Sequence, residues 1–199
     1  MIHLIRHGQT SWNKKDLFQG LRDIPLDETG LIQAQSTASF FKDITVTRII
    51  TSDLSRAFTT AEAIQKATSA PLSVDPRLRE LDVGILEGKS WKDADRDHPG
   101  VRTLFSGKNS DTPIPGGESF DMFKSRCLDV FDDILERDTP DTHTVVVTHG
   151  GVIRMILHAR FAERPGPDGS IRIDNGSITT IVSDKEKTRT EAIRVNMIP

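Results

Sequence analysis

Cysteine is all but missing from this 199-residue chain, and the lone Cys127 excludes an internal disulfide and a cysteine-built zinc site. A long apolar run is missing too. The first residues lack the extended hydrophobic stretch of a signal peptide, so a cytoplasmic protein with no membrane partner is expected. Neither sign of charge dominates: 26 Lys and Arg stand against 29 Asp and Glu, a formal net charge of -3. That balance argues against a nucleic-acid partner or an anionic membrane surface, and any anion site must be a local cluster of Arg and His. No internal repeat, low-complexity tract or linker-like stretch divides the chain, and its length fits one domain over 1–199.

What is present alternates. The β-branched runs 2–5, 46–50 and 144–147 are short and bounded by polar or turn residues, as buried strands require. Between them, 29–42 carries Leu31, Ala34, Ala38 and Phe41 at helical spacing, and 54–67 carries Ala57, Ala61 and Ile64. Residues 118–137 repeat apolar side chains through Phe123, Cys127, Val130 and Ile134, and 150–161 through Val152, Ile153, Ile156 and Leu157. Closing strands are expected at 178–182 and 191–196, around a polar turn at 183–188. Strand–helix alternation predicts a layered α/β sandwich. Residues 90–112 are charged, rich in Gly and Pro, and read as an irregular cap over the sheet, extending to about 115.

Two of the predicted strands end in His-Gly: Arg6-His7-Gly8 after the first, and His149-Gly150-Gly151 after the later one. Arg56 opens a helix after the run at 46–50. Ends of parallel strands open onto the ligand crevice of α/β proteins, and helix N-termini there favour anions. Two guanidinium groups and two imidazoles suit a phosphate monoester, whose dianion needs several fixed donors and positive charges. They do not suit a divalent metal, which the guanidinium groups repel, so metal-free, cofactor-free chemistry is expected.

The chain resembles the histidine phosphatase superfamily, also called phosphoglycerate-mutase-like. Five blocks in the family's order carry the likeness: Arg6-His7-Gly8-Gln9-Thr10 with Trp12-Asn13 and Gln19-Gly20; Thr51-Ser52-Asp53-Leu54-Ser55-Arg56-Ala57; Leu78-Arg79-Glu80-Leu81-Asp82 with Leu86-Glu87-Gly88; Pro115-Gly116-Gly117-Glu118-Ser119; and Thr148-His149-Gly150-Gly151. The resemblance implies a three-layer α/β/α sandwich on a mostly parallel mixed sheet. It further implies phosphoryl transfer in which His7 becomes a phosphohistidine that water hydrolyses. Arg6, Arg56 and a protonated His149 would then hold the phosphoryl oxygens, with Glu80 as proton donor and later base. Thr10, Asn13, Gln19, Gly20 and Gly150 would line the pocket as donors. Glu87 is the rival carboxylate to Glu80, which Arg77 and Arg79 could also simply neutralise as ion-pair partners.

Within the family the pattern favours a phosphatase over a cofactor-dependent phosphoglycerate mutase. Mutases carry Gly-Trp after the early loop, Asn after the second His-Gly, and paired arginines in the middle insertion; here stand Gly20-Leu21, Gly151, and Arg96 and Arg102 singly, in a chain without Tyr. A non-catalytic sensor of phosphorylated ligands is the reading from another class. The partner expected is a small phosphorylated metabolite, with sugar phosphates, phosphoglycerates, ribazole phosphate and phosphoamino acids all open. Lys14, Lys15, Arg22, Lys89, Arg102 and Lys108 are the cations near the specificity loops. Trp12 and Trp91 are placed at the pocket mouth or in packing; His3 is read as structural, and His143 and His158 have no converging partner in the sequence.

Overall fold

The computed structural model describes residues 1–105, 110–139, 142–161, 171–184 and 190–199. Strand β1 (Ile2–Arg6) lies beside β4 (Thr144–Thr148) in parallel register, Ile2 opposite Thr144 and Arg6 opposite Thr148. On the far side of β4 run β2 (Arg48–Thr51) and then β3 (Leu72–Val74), both parallel. β5 (Ile178–Ser183) pairs antiparallel with β1, and β6 (Thr190–Met197) antiparallel with β5. The order is β3-β2-β4-β1-β5-β6, the mostly parallel mixed sheet that the resemblance implies.

Because successive strand residues face opposite sides, the sheet divides the core in two. Ile5, Ile49, Val145 and Val147 point to one face, covered by α1 (Glu28–Phe40) and α2 (Ser55–Thr68) through Ala34, Ala38, Ala57, Ala61 and Ile64. Leu4, Val146 and Ile181 point to the other, covered by α4 (Phe120–Glu136) and α5 (Gly150–Phe161) through Phe123, Phe131, Ile153 and Leu157. Small alanines let α1 and α2 approach closely, while the other face takes bulkier side chains, each contributing about 1.5–3 kcal/mol on burial. None of the described helices is long and apolar enough to cross a membrane.

Three expectations are corrected. β3 was not foreseen, because three residues after Pro71, mostly exposed at a sheet edge, carry too little apolar pattern. The first strand of the second block starts at Arg48 rather than 46, where the Thr47 amide bonds His143 instead of joining the ladder. The segment 90–112 is not irregular throughout: Ser90 accepts from the Asp93 amide and caps helix α3 (Trp91–Asp97), and a 3-10 turn follows at Val101–Phe105. Most of the turn expected at 183–188 lies outside the described residues, as does Lys108.

Candidate active site

β1 and β4 end side by side, and parallel pairing sets His7 and His149 next to each other just past their C-terminal ends. The two rings lie 5.1 Å apart at 61°. His7 Nδ1 is 2.6 Å from the Gly8 carbonyl oxygen, so that nitrogen carries the proton and donates it, leaving Nε2 bare toward the cavity that His7 lines. Burial, then Arg56 and Arg6, push the His7 pKa well below the ordinary 6.5, with the Gly8 carbonyl opposing. The ring is therefore a neutral base with its lone pair exposed.

His149 is fully buried and is not among the residues that line the cavity. Ser52 Oγ accepts from the Leu54 amide and stands 3.0 Å from His149 Nε2. With the Ser52 hydroxyl assigned as donor to Nε2, the proton of the neutral ring sits on Nδ1, which has no partner among the described residues. Burial first, then Arg56, His7 and Arg6, push this pKa well down as well. The resemblance implies a protonated His149 when a phosphoryl group is bound, whereas burial and the two guanidinium groups favour the neutral ring in the unliganded site.

Arg6 and Arg56 flank His7, Arg56 buried and Arg6 partly so. Burial and then Arg154 lower the Arg6 pKa to about 10, which leaves it cationic. Arg6 donates to the Ile173 carbonyl, and Arg56 spends both terminal nitrogens on the carbonyls of Arg22 and Gly20. The Nε groups of both are buried without partners among the described residues. Together with His149 Nδ1 they form three unpaired donors around one imidazole, where burial makes an unpaired polar group costly, about 1–3 kcal/mol each. Such a set is complementary to a tetrahedral oxyanion.

Glu80 enters from the loop after Leu78. Its Oε1 accepts from the Leu81 amide and its Oε2 from the Gly151 amide at the start of α5. Any β-carbon at residue 151 would overlap the Glu80 carboxylate, so the second glycine is what lets Glu80 reach the cavity. Arg77 and Arg79 do not neutralise Glu80, since Arg77 pairs with Asp75 and Asp133, and Arg79 with Asp53. Glu87 is excluded as the rival: it accepts from the Leu21 and Arg22 amides and pairs with Arg22. That fixes the loop whose carbonyls hold Arg56.

Of the expected pocket donors, Asn13, Gln19 and Gly20 line the cavity, which measures about 520 Å³. Thr10 and Gly150 do not line it. The Thr10 hydroxyl lies within hydrogen-bond distance of Asn13 Oδ1 and Gln19 Oε1 and is wholly buried, a support beneath those residues. Gly150 is covered by Arg6 and Arg154, and the amide at the wall is that of Gly151. Trp91 packs edge-on against Phe18 and Phe105, and Trp12 against Gly88. Of the cations near the specificity loops, Arg22, Lys89 and Arg102 pair with acids, while Lys14 and Lys15 are exposed and off the cavity wall.

Several supporting residues escaped the sequence reading. Arg126 on α4 satisfies all five of its donors, binding the carbonyls of Arg77, Arg79 and Glu80 and both carboxylate oxygens of Glu118. Glu118 in turn accepts from the Asp82 amide, so the pair clamps the strip that carries Glu80. Asn175 donates to the His7 carbonyl and to Asn13 Oδ1. Arg154 lines the cavity one helical turn before His158, which also faces it. Glu118 lay in a quoted family block, but nothing in spacing distinguished Arg126, Asn175 or Arg154 from surface residues.

Comparison with known proteins shows the family and the fold. The model for the histidine phosphatase superfamily (branch 1) matches residues 2–196. A probable phosphoglycerate mutase, GpmB, of Cronobacter sakazakii is 33% identical over 180 residues, 90% of this chain and 83% of that protein. A metal-independent phosphoserine phosphatase of Arabidopsis thaliana is 38% identical over 158 residues, 78% of this chain and 66% of that one. Among solved structures, a mycobacterial glucosyl-3-phosphoglycerate phosphatase in complex with VO3 superposes with a TM-score of 0.81 at 28% identity, covering 98% of this chain and 97% of the other.

Proposed function

This chain belongs to the histidine phosphatase superfamily, branch 1, and from that premise we propose that it is a phosphomonoester hydrolase of the histidine phosphatase type, acting without a metal on a small phosphorylated metabolite. The observation that carries the reading is the bare Nε2 of a neutral His7 beside the three unpaired donors of Arg6, Arg56 and His149. In the first half-reaction His7 Nε2 attacks phosphorus, the bond from phosphorus to the ester oxygen breaks, and the Glu80 carboxyl gives its proton to the leaving oxygen. In the second, the Glu80 carboxylate takes a proton from water as that water attacks phosphorus. The phosphorus–nitrogen bond breaks, releasing phosphate and restoring neutral His7. Charge gathers on the equatorial oxygens in both steps, where the two guanidinium groups and the His149 N–H would bind it without reorganising. Asn13, Gln19 and Gly20 would contact substrate at the wall.

Hydrolysis is favoured over transfer to a bound phosphoglycerate. Arg96 and Arg102, the arginines of the middle segment, are engaged by Asp93, Asp97 and Asp95 and are absent from the cavity wall. The mutase reading draws on the relative named GpmB, and it predicts a phosphorylated acid as product instead of inorganic phosphate.

The test is transfer of label from a radiolabelled aryl phosphate to the protein in the presence of a chelator. Label on His7, accumulating in Glu80→Gln because water is no longer activated, supports the reading. Binding of the ester with no label and no turnover would leave a sensor instead, and strict dependence on a divalent ion would overturn metal-free hydrolysis.

A further inference from the structure

The cavity has a second pole. Beyond His7 its wall is apolar, built by Phe105, Phe120, Phe123, Leu81, Val83 and Met155, and on one side stands Arg154. The Arg154 terminal nitrogens and Arg6 Nε each lie 3.3 Å from the point where a Gly150 β-carbon would stand. Two like charges therefore border the same glycine, and Arg154 is the largest charge lowering the Arg6 pKa. No described residue pairs with Arg154 by ion pair or hydrogen bond. Glu80 is the one carboxylate on the cavity wall, and the Leu81 and Gly151 amides occupy it. Arg154 is solvent-exposed and screened by water, and an anion entering the cavity would meet its free guanidinium beside Arg6.

Charge counting limits that anion. Arg6 and Arg56 already match the two negative charges of a phosphomonoester, and Arg154, on the same cavity wall, supplies a further positive charge. The apolar part of the wall, in a cavity of about 520 Å³, has room for a leaving group with a flat or branched hydrocarbon part.

We propose that Arg154 is a specificity-determining residue, and that the substrates are phosphomonoesters whose leaving group combines an apolar body with an acidic group bound by Arg154. This rests on the hydrolase reading above for the position of the phosphoryl group. His158, one turn along α5 and facing the same space, borders the acidic group. The chemistry is shared by carboxylates and second phosphates, and a charged hydrogen bond of this kind changes affinity about ten- to a hundredfold.

The experiment compares phenyl phosphate with its carboxylate-bearing analogues, 3- and 4-carboxyphenyl phosphate, on the intact protein and on Arg154→Gln and Arg154→Lys. The preference in kcat/KM for the better acid analogue over phenyl phosphate should be about tenfold or more, fall to near unity in Arg154→Gln, and recover in part in Arg154→Lys. Equal losses on both esters in Arg154→Gln would overturn the inference, because Arg154 would then serve the phosphoryl group alone. No preference for either acid analogue by the intact protein would overturn it as well. If phenyl phosphate is not hydrolysed at all, the hydrolase reading fails, and calorimetric binding of the same esters still decides: tighter binding of an acid analogue, lost in Arg154→Gln, sustains the inference, and equal binding ends it.

Discussion

β1 and β4 carry a histidine pair at each end, and the two pairs are almost the same size. His7 and His149 sit 5.1 Å apart at the C-terminal end; His3 and His143 sit 5.3 Å apart at the N-terminal end, stacked within 4° of parallel. At the N-terminal end every ring nitrogen of the buried member is used: His3 Nδ1 meets Thr180 Oγ1, and Nε2 meets His143 Nδ1 at 3.0 Å. At the C-terminal end one nitrogen of each ring is held, by Gly8 or Ser52, and the other is left bare or without a partner. Proximity of two imidazoles does not make a site. What separates the ends is incomplete hydrogen bonding beside guanidinium groups whose Nε atoms have no partner among the described residues, set against complete hydrogen bonding beside the N-terminal amine and Asp138, which pair with each other.

The largest effects should split cleanly along this line. His7→Ala removes the nucleophile and is expected to lower turnover at least about a thousandfold while the protein stays folded, since the hydrogen bond its ring makes is to the adjacent Gly8 carbonyl. His3→Ala should do the reverse. It deletes the bonds to Thr180 and His143 and the edge contact with Phe41, at a cost of about 2–4 kcal/mol, with activity per folded molecule within about threefold. Parallel denaturant melts and initial rates on both variants check this, and loss of turnover in folded His3→Ala would break the distinction.

The contrast also marks what the sequence could and could not reveal. His7, Arg6, Arg56 and His149 were legible because each follows a strong β-branched run or opens a helix, so the pattern of buried strands alone delivers them to one edge of the sheet. Glu80 was legible through its block, and its geometry depends on Gly151, where a β-carbon would overlap its carboxylate. The partnership of His3 with His143 was not legible, correcting the view that His143 lacks a partner: the contact spans 140 positions and depends on the register of β1 against β4. Arg126 and Arg154 were hidden for the same reason. A helix period identifies which residues face inward, whereas Arg126 and Arg154 act by reaching from their helices around a loop or across a glycine.

A smaller effect follows from protonation. His3 is pushed down to about 4 from an ordinary 6.5, by burial first, then by His143 and the N-terminal amine, with Asp138 opposing. The unfolded chain therefore binds a proton between these values that the folded chain refuses, so this contribution is complete above pH 6.5 and is lost as pH falls toward 4. At about 1.4 kcal/mol per pKa unit, the loss from His3 reaches about 3 kcal/mol. His7 and His149, also shifted down, act in the same direction. Unfolding free energies measured from pH 7 to 4 should fall with this slope, and His3→Gln should flatten it; an unchanged slope in His3→Gln would remove His3 as its source.

The finest discrimination comes from adding inorganic phosphate, because the two ends share strands but only one offers unpaired donors. A dianion bound by Arg6 and Arg56 cancels the charges that hold His7 and His149 neutral, so the pKa of at least His149, whose N–H would face the anion, must rise, by about one unit for each 1.4 kcal/mol of added attraction. His3 feels no such change, since the groups that depress it are its own burial, His143 and the N-terminal amine at the far end of the strands. Ring resonances followed by NMR titration with and without phosphate should show His149 moving upward while His3 stays near 4. A rise at both ends would mean that anions act on the whole sheet rather than on one pocket, and no rise at either would mean that the donors around His7 do not receive a phosphate.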